Sequence, residues 1–183
     1  MTVMARLLYS AAMSVDGFIA GPGGDMGWLS EHLGPNPLVD DLVPLIGSLL
    51  VGARTYGGDD PYKDTPAEGE AFGGAWSGPQ VVLTHRVLPE RPGVTFADDL
   101  TTAVRLASDA AGDRYVNVLG ADVARQCIAA GLLDEVLVTV VPVLLGGGTR
   151  LFDAPALGPV RLGRLQVDEA ADGTNLWFRV LRG

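Results

Sequence analysis

Cationic and hydroxyl side chains follow two apolar segments of the sequence, and a glycine follows a third. These residues are Arg54 and Thr55, then Thr84, His85 and Arg86, then Gly120. If the three apolar segments are parallel strands, their carboxyl ends meet at one edge of a sheet, where open α/β sheets bind ligands. Guanidinium groups and the backbone N–H groups of a helix N-terminus bind phosphate. The set therefore predicts a site for a multiply phosphorylated ligand, although each residue alone also fits a solvated arginine, a surface histidine or a tight turn.

The segment from Tyr115 to Leu145 predicts a βαβ unit that carries the Gly120 turn. An apolar run leads to Gly120, Asp122 offers an N-cap carboxylate, and helical spacing of apolar residues then continues to a glycine stop at Gly131. Val136 to Leu145 is nearly all apolar, which predicts a strand covered on both faces. The turn would place backbone N–H groups at the carboxyl end of a buried strand, where a tight turn without a ligand is an equally good interpretation.

The remaining elements complete a single α/β domain that spans residues 1–183. Strands are predicted at Leu7 to Met13, Leu49 to Gly52, Gln80 to Thr84 and Val94 to Ala97, helices at Pro37 to Ile46 and Leu100 to Ala111, and a closing antiparallel hairpin at Arg161 to Glu169 and Leu176 to Leu181. The first helix should be short or kinked because Pro44 lies within it. The polar, glycine-rich residues 57–79 predict a lid, a partner-facing loop or a disordered segment.

Composition excludes several classes of protein. A chain of 183 residues with 48% hydrophobic content can bury a core without metals or disulfides. Its net charge of −9 argues against a general nucleic-acid or anionic-membrane surface. Cys127 is the one cysteine, and it lies on an apolar helical face, so no disulfide forms within the chain. We find no metal-ligand spacing, signal peptide or membrane span, and we expect a cytoplasmic protein.

Several catalytic motifs are absent, and one carboxylate stands out. The sequence has no G-x-S-x-G, G-x-G-x-x-G or P-loop motif, which disfavours a serine hydrolase, a kinase and a standard Rossmann dehydrogenase. Asp16 follows the first strand directly, which is where an active-site acid would lie, although an aspartate before glycine also forms simple turns. Asp16 is our candidate catalytic residue. We expect Asp16, Trp28 and Asp40 to contact the substrate.

The ordered motifs of the chain resemble the RibD C-terminal reductase-like family. They are YSAAMSVDGFIA, DMGWL, VGARTYGG, VVLTHR, VNVLGADVARQCIAAGLLDEV and VPVLLGGGTRLF, and they cover the chain from about Leu7 to Phe152. The resemblance implies the dihydrofolate reductase fold, which has three layers, a central mostly parallel sheet and a C-terminal antiparallel hairpin. It further implies an NADPH-dependent reductase that is often a homodimer, with a small-molecule substrate.

The resemblance also implies roles for individual residues. Thr84, His85 and Arg86 would surround the 2′-phosphate that distinguishes NADPH from NADH. Arg54 and Thr55 would meet cofactor phosphates, and Gly120, Ala121 and Asp122 would pass close to the pyrophosphate. Gly52 and Leu119 complete the set that we assign to cofactor binding. The Ser-x-Asp-Gly motif of the reductases that act on ribosylaminopyrimidines places its aspartate near the substrate, which favours Asp16.

The sequence departs from the family pattern at two positions. Ala53 stands where the family usually has an arginine, and Ala121 stands where it usually has a glycine. Folate reductases carry an acid on the helix before the second strand, where this chain has none between Pro35 and Leu38. We therefore expect an NADPH-dependent reductase of a small heterocycle, imine or carbonyl compound. The alternatives are a reductase of riboflavin-type pyrimidine biosynthesis and a nucleotide-binding protein without catalysis.

Overall fold

The computed structural model of the protein describes residues 5–183. Its regular elements, in chain order, are β1 (Leu7–Ser14), β2 (Phe18–Ala20), α1 (Pro37–Leu42), β3 (Ile46–Gly52), α2 (Ala53–Tyr56), β4 (Gln80–Leu83), β5 (Val94–Ala97), α3 (Leu100–Ala111), β6 (Tyr115–Leu119), α4 (Ala121–Ala129), β7 (Glu135–Val141), β8 (Thr149–Arg150), β9 (Leu162–Ala170) and β10 (Gly173–Val180). Short 3₁₀ turns at Pro22–Gly24, Gly27–His32, Val43–Leu45, Ala71–Gly74 and Pro155–Leu157 connect them.

An eight-stranded sheet with the order β5-β4-β3-β6-β1-β7-β10-β9 forms the centre of the fold. The first six strands of this order, from β5 across to β7, are parallel to one another. β10 is antiparallel to both of its neighbours, β7 and β9. The predicted mostly parallel sheet with a closing antiparallel hairpin is confirmed. β6 and β7 lie on either side of β1, so the predicted βαβ unit crosses over the first strand of the chain rather than joining neighbours.

Apolar residues cover both faces of the sheet, which produces three layers. On one face α3 and α4 pack against the sheet through residues such as Ala107 and Cys127, both fully buried. On the other face α1, the turn that follows it and the buried Trp76 pack against strand residues such as Leu49 and Leu137. The prediction of a buried Cys127 is confirmed, and burial raises the pKa of its thiol to about 12.

Local signals place the ends of α3 where the sequence predicts them. The Asp99 carboxylate accepts a hydrogen bond of 2.9 Å from the Thr102 backbone N–H, as an N-cap does. The helix ends at Gly112, whose φ of 67° is a left-handed conformation that costs glycine little. The helix at Pro37 is short, as expected from Pro44, because it becomes a 3₁₀ turn at Val43.

Three local predictions are wrong, and one pair of strands was not predicted. The N-cap of α4 is Gly120, and Asp122 lies inside the first turn. β7 ends at Val141, before Pro142, instead of continuing to Leu145. β3 begins at Ile46, earlier than predicted. The glycine-rich turn after β7 leads into β8, which pairs with β2 in a two-stranded sheet that the sequence did not reveal.

Residues 57–79 have few regular elements but are attached to the core. Trp76 is 7% exposed, and its indole Nε1 donates a hydrogen bond of 3.0 Å to the Ile46 carbonyl. Asp60 accepts a hydrogen bond of 2.8 Å from the Tyr62 backbone N–H. The role of this segment as a lid or partner-facing loop stays a prediction. Within residues 5–183, every helix is too short or too polar to cross a lipid bilayer.

Candidate functional site

The carboxyl half of the central strand β1 is left partly uncovered. Residues Ser10 to Met13 are partly exposed even though β1 lies between β6 and β7 in the middle of the sheet. Thr139 and Val140, near the end of β7, and Leu119, at the end of β6, are partly exposed as well. Since interior strands of a covered sheet are normally buried, this exposure marks a cleft at the carboxyl edge.

The strands that deliver the predicted cofactor residues are neighbours at this edge. Val51 of β3 pairs with Leu119 of β6, and Gly52 pairs with Leu83 of β4. Paired strands lie about 4.8 Å apart, so the chain segments that follow these residues leave the sheet side by side. The structure therefore brings the backbone of the three predicted segments to one edge.

The loops after β3 and β6 meet at Gly120. This residue has a φ of +108°, and a methyl group added to its Cα would come within 2.5 Å of the Thr55 hydroxyl and 3.8 Å of the Gly52 nitrogen. A side chain at position 120 would therefore be strained and would also clash with Thr55. The absence of a side chain lets the two loops approach closely, and we call the backbone at Gly120, Thr55 and the start of α4 the cradle.

The N-terminus of α4 has no side-chain cap. The carboxylate of Asp122 instead accepts hydrogen bonds from Arg125 at 2.6 Å and Gln126 at 2.9 Å, one turn further along the helix. The hydrogen bond from Arg125 is the main cause that lowers the pKa of Asp122, and the positive charge of Arg54 contributes too. Arg54 therefore lies close to this helix end, where its charge and the helix dipole favour an anion.

The segment after β4 presents two exposed cationic or polar side chains. Thr84 is 6% exposed, and its hydroxyl oxygen accepts a hydrogen bond of 3.0 Å from the Arg86 backbone N–H, which turns the chain. His85 and Arg86 are exposed beyond this turn. The guanidinium of Arg91, which the sequence did not single out, lies 6.0 Å from the ring centre of Tyr56 at the end of α2. Arg86 therefore brings a positive charge to the carboxyl end of β4.

Asp16 connects the end of β1 to the loop after β7. Its carboxylate accepts hydrogen bonds from the Ser14 hydroxyl at 2.6 Å and from the backbone N–H groups of Leu145 at 3.0 Å and Gly146 at 2.7 Å. The Ser14 hydroxyl is the main cause that lowers the pKa of Asp16 to about 2, followed by the Leu145 N–H. Its catalytic role stays a prediction, and these three donors favour an ionised carboxylate that fixes two loops.

A neutral hydrogen-bond network, not a carboxylate, links α1 to the sheet. Asn36, the N-cap of α1, exchanges hydrogen bonds of 3.0 and 2.8 Å with the fully buried amide of Asn175, which also accepts a bond of 2.7 Å from the Thr139 hydroxyl. Asp40 is exposed on the same helix. The sequence signal for Asn36 was the Asn-Pro pair at a helix start, but nothing in it indicated the distant partners.

Two further buried donors are unpaired in this structure. Among residues 5–183, the indole Nε1 of Trp28 is buried without a hydrogen-bond partner, as is the Nδ2 of Asn117, whose Oδ1 accepts a bond of 2.8 Å from the Ser10 hydroxyl. Unpaired buried donors are costly, and a bound ligand could accept from them. The substrate-side assignments of Trp28 and Asp40 stay predictions.

A cavity of about 530 Å³ lies beside the Asp16 loop. It is lined at the ends of β1, β7 and β9 by residues that include Val15, His32, Pro142, Glu169 and Asp172. None of the predicted cofactor residues lines it. Its acidic lining does not suit a phosphate.

The sequence of this chain matches a known protein family. The model of the RibD C-terminal domain matches residues 5–175. The chain belongs to that family. The family expected from the ordered motifs is therefore confirmed. Membership of this family also confirms the expectation of a reductase. No curated protein sequence matches the chain significantly.

Solved structures share the fold of this RibD C-terminal domain. RibD of Acinetobacter baumannii is 19% identical with a TM-score of 0.71, over 99% of this chain and 59% of that one. The Thermotoga maritima diaminohydroxyphosphoribosylaminopyrimidine deaminase/5-amino-6-(5-phosphoribosylamino)uracil reductase is 18% identical with a TM-score of 0.69, over 97% of this chain and 57% of that one. The chain thus spans less than two thirds of either protein.

A dihydrofolate reductase has the same architecture. The enzyme from Enterococcus faecalis, in complex with NADP(H) and RAB-propyl, is 18% identical with a TM-score of 0.60, over 98% of this chain and 99% of that one. The predicted dihydrofolate reductase-like fold is therefore confirmed.

Proposed function

We propose that the protein is an NADPH-dependent reductase that transfers a hydride to a small heterocyclic, imine or carbonyl substrate. The observation that carries this proposal is the cradle at Gly120, where the N-terminus of α4 and Thr55 approach closely because position 120 has no side chain, with Arg54 nearby. Membership of the RibD C-terminal domain family and the likeness to a dihydrofolate reductase in complex with NADP(H) support it.

The residues at this edge fit a dinucleotide phosphate. The N–H groups in the first turn of α4 and the Thr55 hydroxyl would donate to pyrophosphate oxygens, and Arg54 would balance their charge. The carboxylate of Asp122 bonds to Arg125 and Gln126, so it does not compete for those N–H groups. When bound, NADPH would supply a hydride for reduction of a C=N or C=O bond. The partly exposed residues Ala11 to Met13 of β1 would form the floor on which the two reactants meet.

Arg86 gives the test of the cofactor assignment. An Arg86→Ala variant should bind NADPH roughly tenfold to a hundredfold more weakly, because a charge-assisted hydrogen bond is worth about 1.5–3 kcal/mol, and it should bind NADH as before. Titration with each dinucleotide, followed by tryptophan fluorescence, measures both affinities. Arg105→Ala, on the exposed face of α3, is the matched control and should change neither. Absence of saturable binding of both dinucleotides to the wild-type protein would overturn the assignment.

Asp16 gives a second test, which separates a catalytic from a positioning role. Since three donors lower its folded-state pKa to about 2, below the ordinary aspartate value of about 3.9, the stability that it contributes is complete above about pH 4. That contribution is lost as the pH falls towards 2. We expect Asp16→Asn to lower the melting temperature at pH 7 and to weaken the acid dependence of stability, because an amide group cannot accept all three hydrogen bonds.

The same variant should increase proteolysis within residues 142–148 without preventing NADPH binding. Limited proteolysis and melting curves between pH 3 and 7 measure these effects. If Asp16→Asn instead leaves stability and proteolysis unchanged and removes only turnover of an identified substrate, Asp16 is the proton-handling group.

One observation favours the alternative substrate of riboflavin-type pyrimidine biosynthesis. Such a substrate carries a ribose phosphate, and the exposed Arg150 of β8 lies 4.8 Å above the Phe18 ring, beside the Asp16 loop. The backbone N–H of Leu151 donates a bond of 2.9 Å to the Gly17 carbonyl, which fixes this position. Turnover of a phosphorylated ribosylaminopyrimidine, compared with its dephosphorylated form, tests this substrate class.

A further inference from the structure

A cavity of about 410 Å³ lies at the amino edge of the sheet, at the opposite end of the parallel strands from the predicted cofactor residues. It is lined by Arg6 before β1, by Asp134 and Glu135 around the start of β7, and by residues 179–182 at the end of β10. β10 is antiparallel to β7, so its last residues lie beside the first residues of β7, and Arg179 pairs with Glu135. Three of the seven lining residues are arginines, although the protein has a net charge of −9.

Both carboxylates of this cavity already have donors. The carboxylate of Glu135 is 2% exposed and accepts a hydrogen bond of 3.0 Å from Arg6, together with two bonds from neutral side chains. The carboxylate of Asp134 accepts a bond of 2.8 Å from Arg182 and one of 2.9 Å from a backbone N–H group. Each negative charge is therefore balanced by one arginine.

The arginines keep most of their donors free. A guanidinium carries several N–H donors, and Arg6 and Arg182 each give one of them to the ion pair while their side chains stay 59% and 64% exposed. Within residues 5–183, the exposed Arg179 forms no salt bridge. Arg161 lies at the same end, since its carbonyl accepts a hydrogen bond of 2.9 Å from the Leu181 backbone N–H. The charge that is not balanced at this cavity is therefore positive.

We propose that this cavity binds a small molecule that carries a phosphate or another multiply charged oxyanion. Guanidinium groups donate paired N–H groups to the oxygens of phosphates and carboxylates, and these charge-assisted hydrogen bonds are strong. The oxyanion lies between Arg179 and Arg182. The volume is within the range of small-molecule sites, roughly 300–1,000 Å³, and exceeds what one phosphate group fills. The organic part of the ligand contacts Val180 and Leu181, which supply the apolar part of the lining.

The oxyanion site is separate from the cleft. Arg6 directly precedes β1 and Asp16 follows it, and the eight residues of this strand span roughly 26 Å at about 3.3 Å per residue. The proposal does not depend on the proposed reductase function. Oxyanion binding and NADPH binding are measured in separate titrations, and either one is able to fail alone.

Calorimetric titration of the full chain with inorganic pyrophosphate, and separately with citrate, tests the site. We expect saturable binding of pyrophosphate at low ionic strength. Arg179→Ala should weaken it at least about tenfold, the loss expected for one charge-assisted hydrogen bond. Arg105→Ala, an exposed arginine on α3, is the matched control and should not change the affinity. Arg54→Ala, at the carboxyl edge, should also leave this binding in place, which distinguishes the cavity from the cradle.

The two probes distinguish the kinds of ligand. Binding of pyrophosphate alone indicates a phosphorylated ligand, and equal binding of citrate indicates that the site accepts polycarboxylates as well. Arg182→Ala is a second variant that should weaken binding, and circular dichroism checks that each variant folds. The proposal is overturned if neither probe binds, if Arg179→Ala and Arg105→Ala have equal affinity, or if Arg54→Ala removes all binding.

Discussion

Replacement of Gly120 by alanine should weaken NADPH binding by about tenfold to a hundredfold. The backbone at Gly120 has φ +108° and ψ 136°, a conformation that costs other residues about 1–3 kcal/mol. The added methyl group would also lie 2.5 Å from the Thr55 hydroxyl, so the two loops that form the cradle must separate. The strain lowers stability, whereas the separation of the loops removes one charge-assisted hydrogen bond to the cofactor phosphates, worth about 1.5–3 kcal/mol, which corresponds to the expected range. Fluorescence titration with NADPH measures it.

Two variants separate the causes of this effect. Gly112→Ala, at the end of α3, has a comparable positive φ of 67° but open space around the new methyl group. It should lower stability without weakening NADPH binding. In the double variant Gly120→Ala with Thr55→Ala, the close contact with the hydroxyl is gone, so the losses of affinity from the two single variants should be less than additive. Wild-type affinity in Gly120→Ala would show that the cradle does not hold the cofactor.

Replacement of Glu135 by leucine should lower the free energy of unfolding by about 3 kcal/mol. The carboxylate is 2% exposed and accepts hydrogen bonds from Arg6 at 3.0 Å, the Tyr115 hydroxyl at 3.1 Å and the Trp177 indole at 2.9 Å. Leucine leaves buried donors without an acceptor, each at a cost of about 1–3 kcal/mol. Denaturant unfolding measures the change. These residues join β6, β7 and β10 at the amino edge, so NADPH affinity should not change.

Glu90→Leu provides the surface control for this prediction. Glu90 is exposed on the loop before β5, and its replacement should change stability by less than about 0.5 kcal/mol. A second readout is the tyrosine titration. Burial is the main cause that raises the pKa of Tyr115 to about 12, and the negative charge of Glu135 is the second. Glu135→Leu should therefore lower that pKa. Equal stability of the Glu135→Leu and Glu90→Leu variants would contradict the buried hydrogen-bond network.

Local features of the fold follow from short stretches of sequence. Asp99 and Gly112 define α3 because N-capping and a left-handed glycine depend on a few neighbouring residues. The parallel strands and the closing hairpin follow from apolar runs and turn residues in the same way. Asp122 shows where this reasoning fails. A carboxylate near a helix start is a common N-cap, but here the strained turn at Gly120 begins the helix one position before Ala121.

The candidate site was predicted in part. Arg54, Thr55 and Gly120 were chosen because they follow strands, and the strand order does bring their segments together. Asn36, which joins Asn175 across 139 positions of sequence, carried no long-range signal. The same holds for the contact between Asp16 and Leu145, which lie 129 positions apart. Each such pair depends on which strands are neighbours.

The sequence by itself determined the family, most strands and helices of the main sheet and the edge of that sheet where polar groups collect. Only the tertiary structure decided that β1 lies between β6 and β7, that Asp16 is held by three donors, and that β9 is an open edge. The physical reason is the distance along the sequence over which each interaction acts. Backbone conformation and capping respond to residues a few positions apart, whereas strand order and buried hydrogen bonds arise from packing of the whole chain.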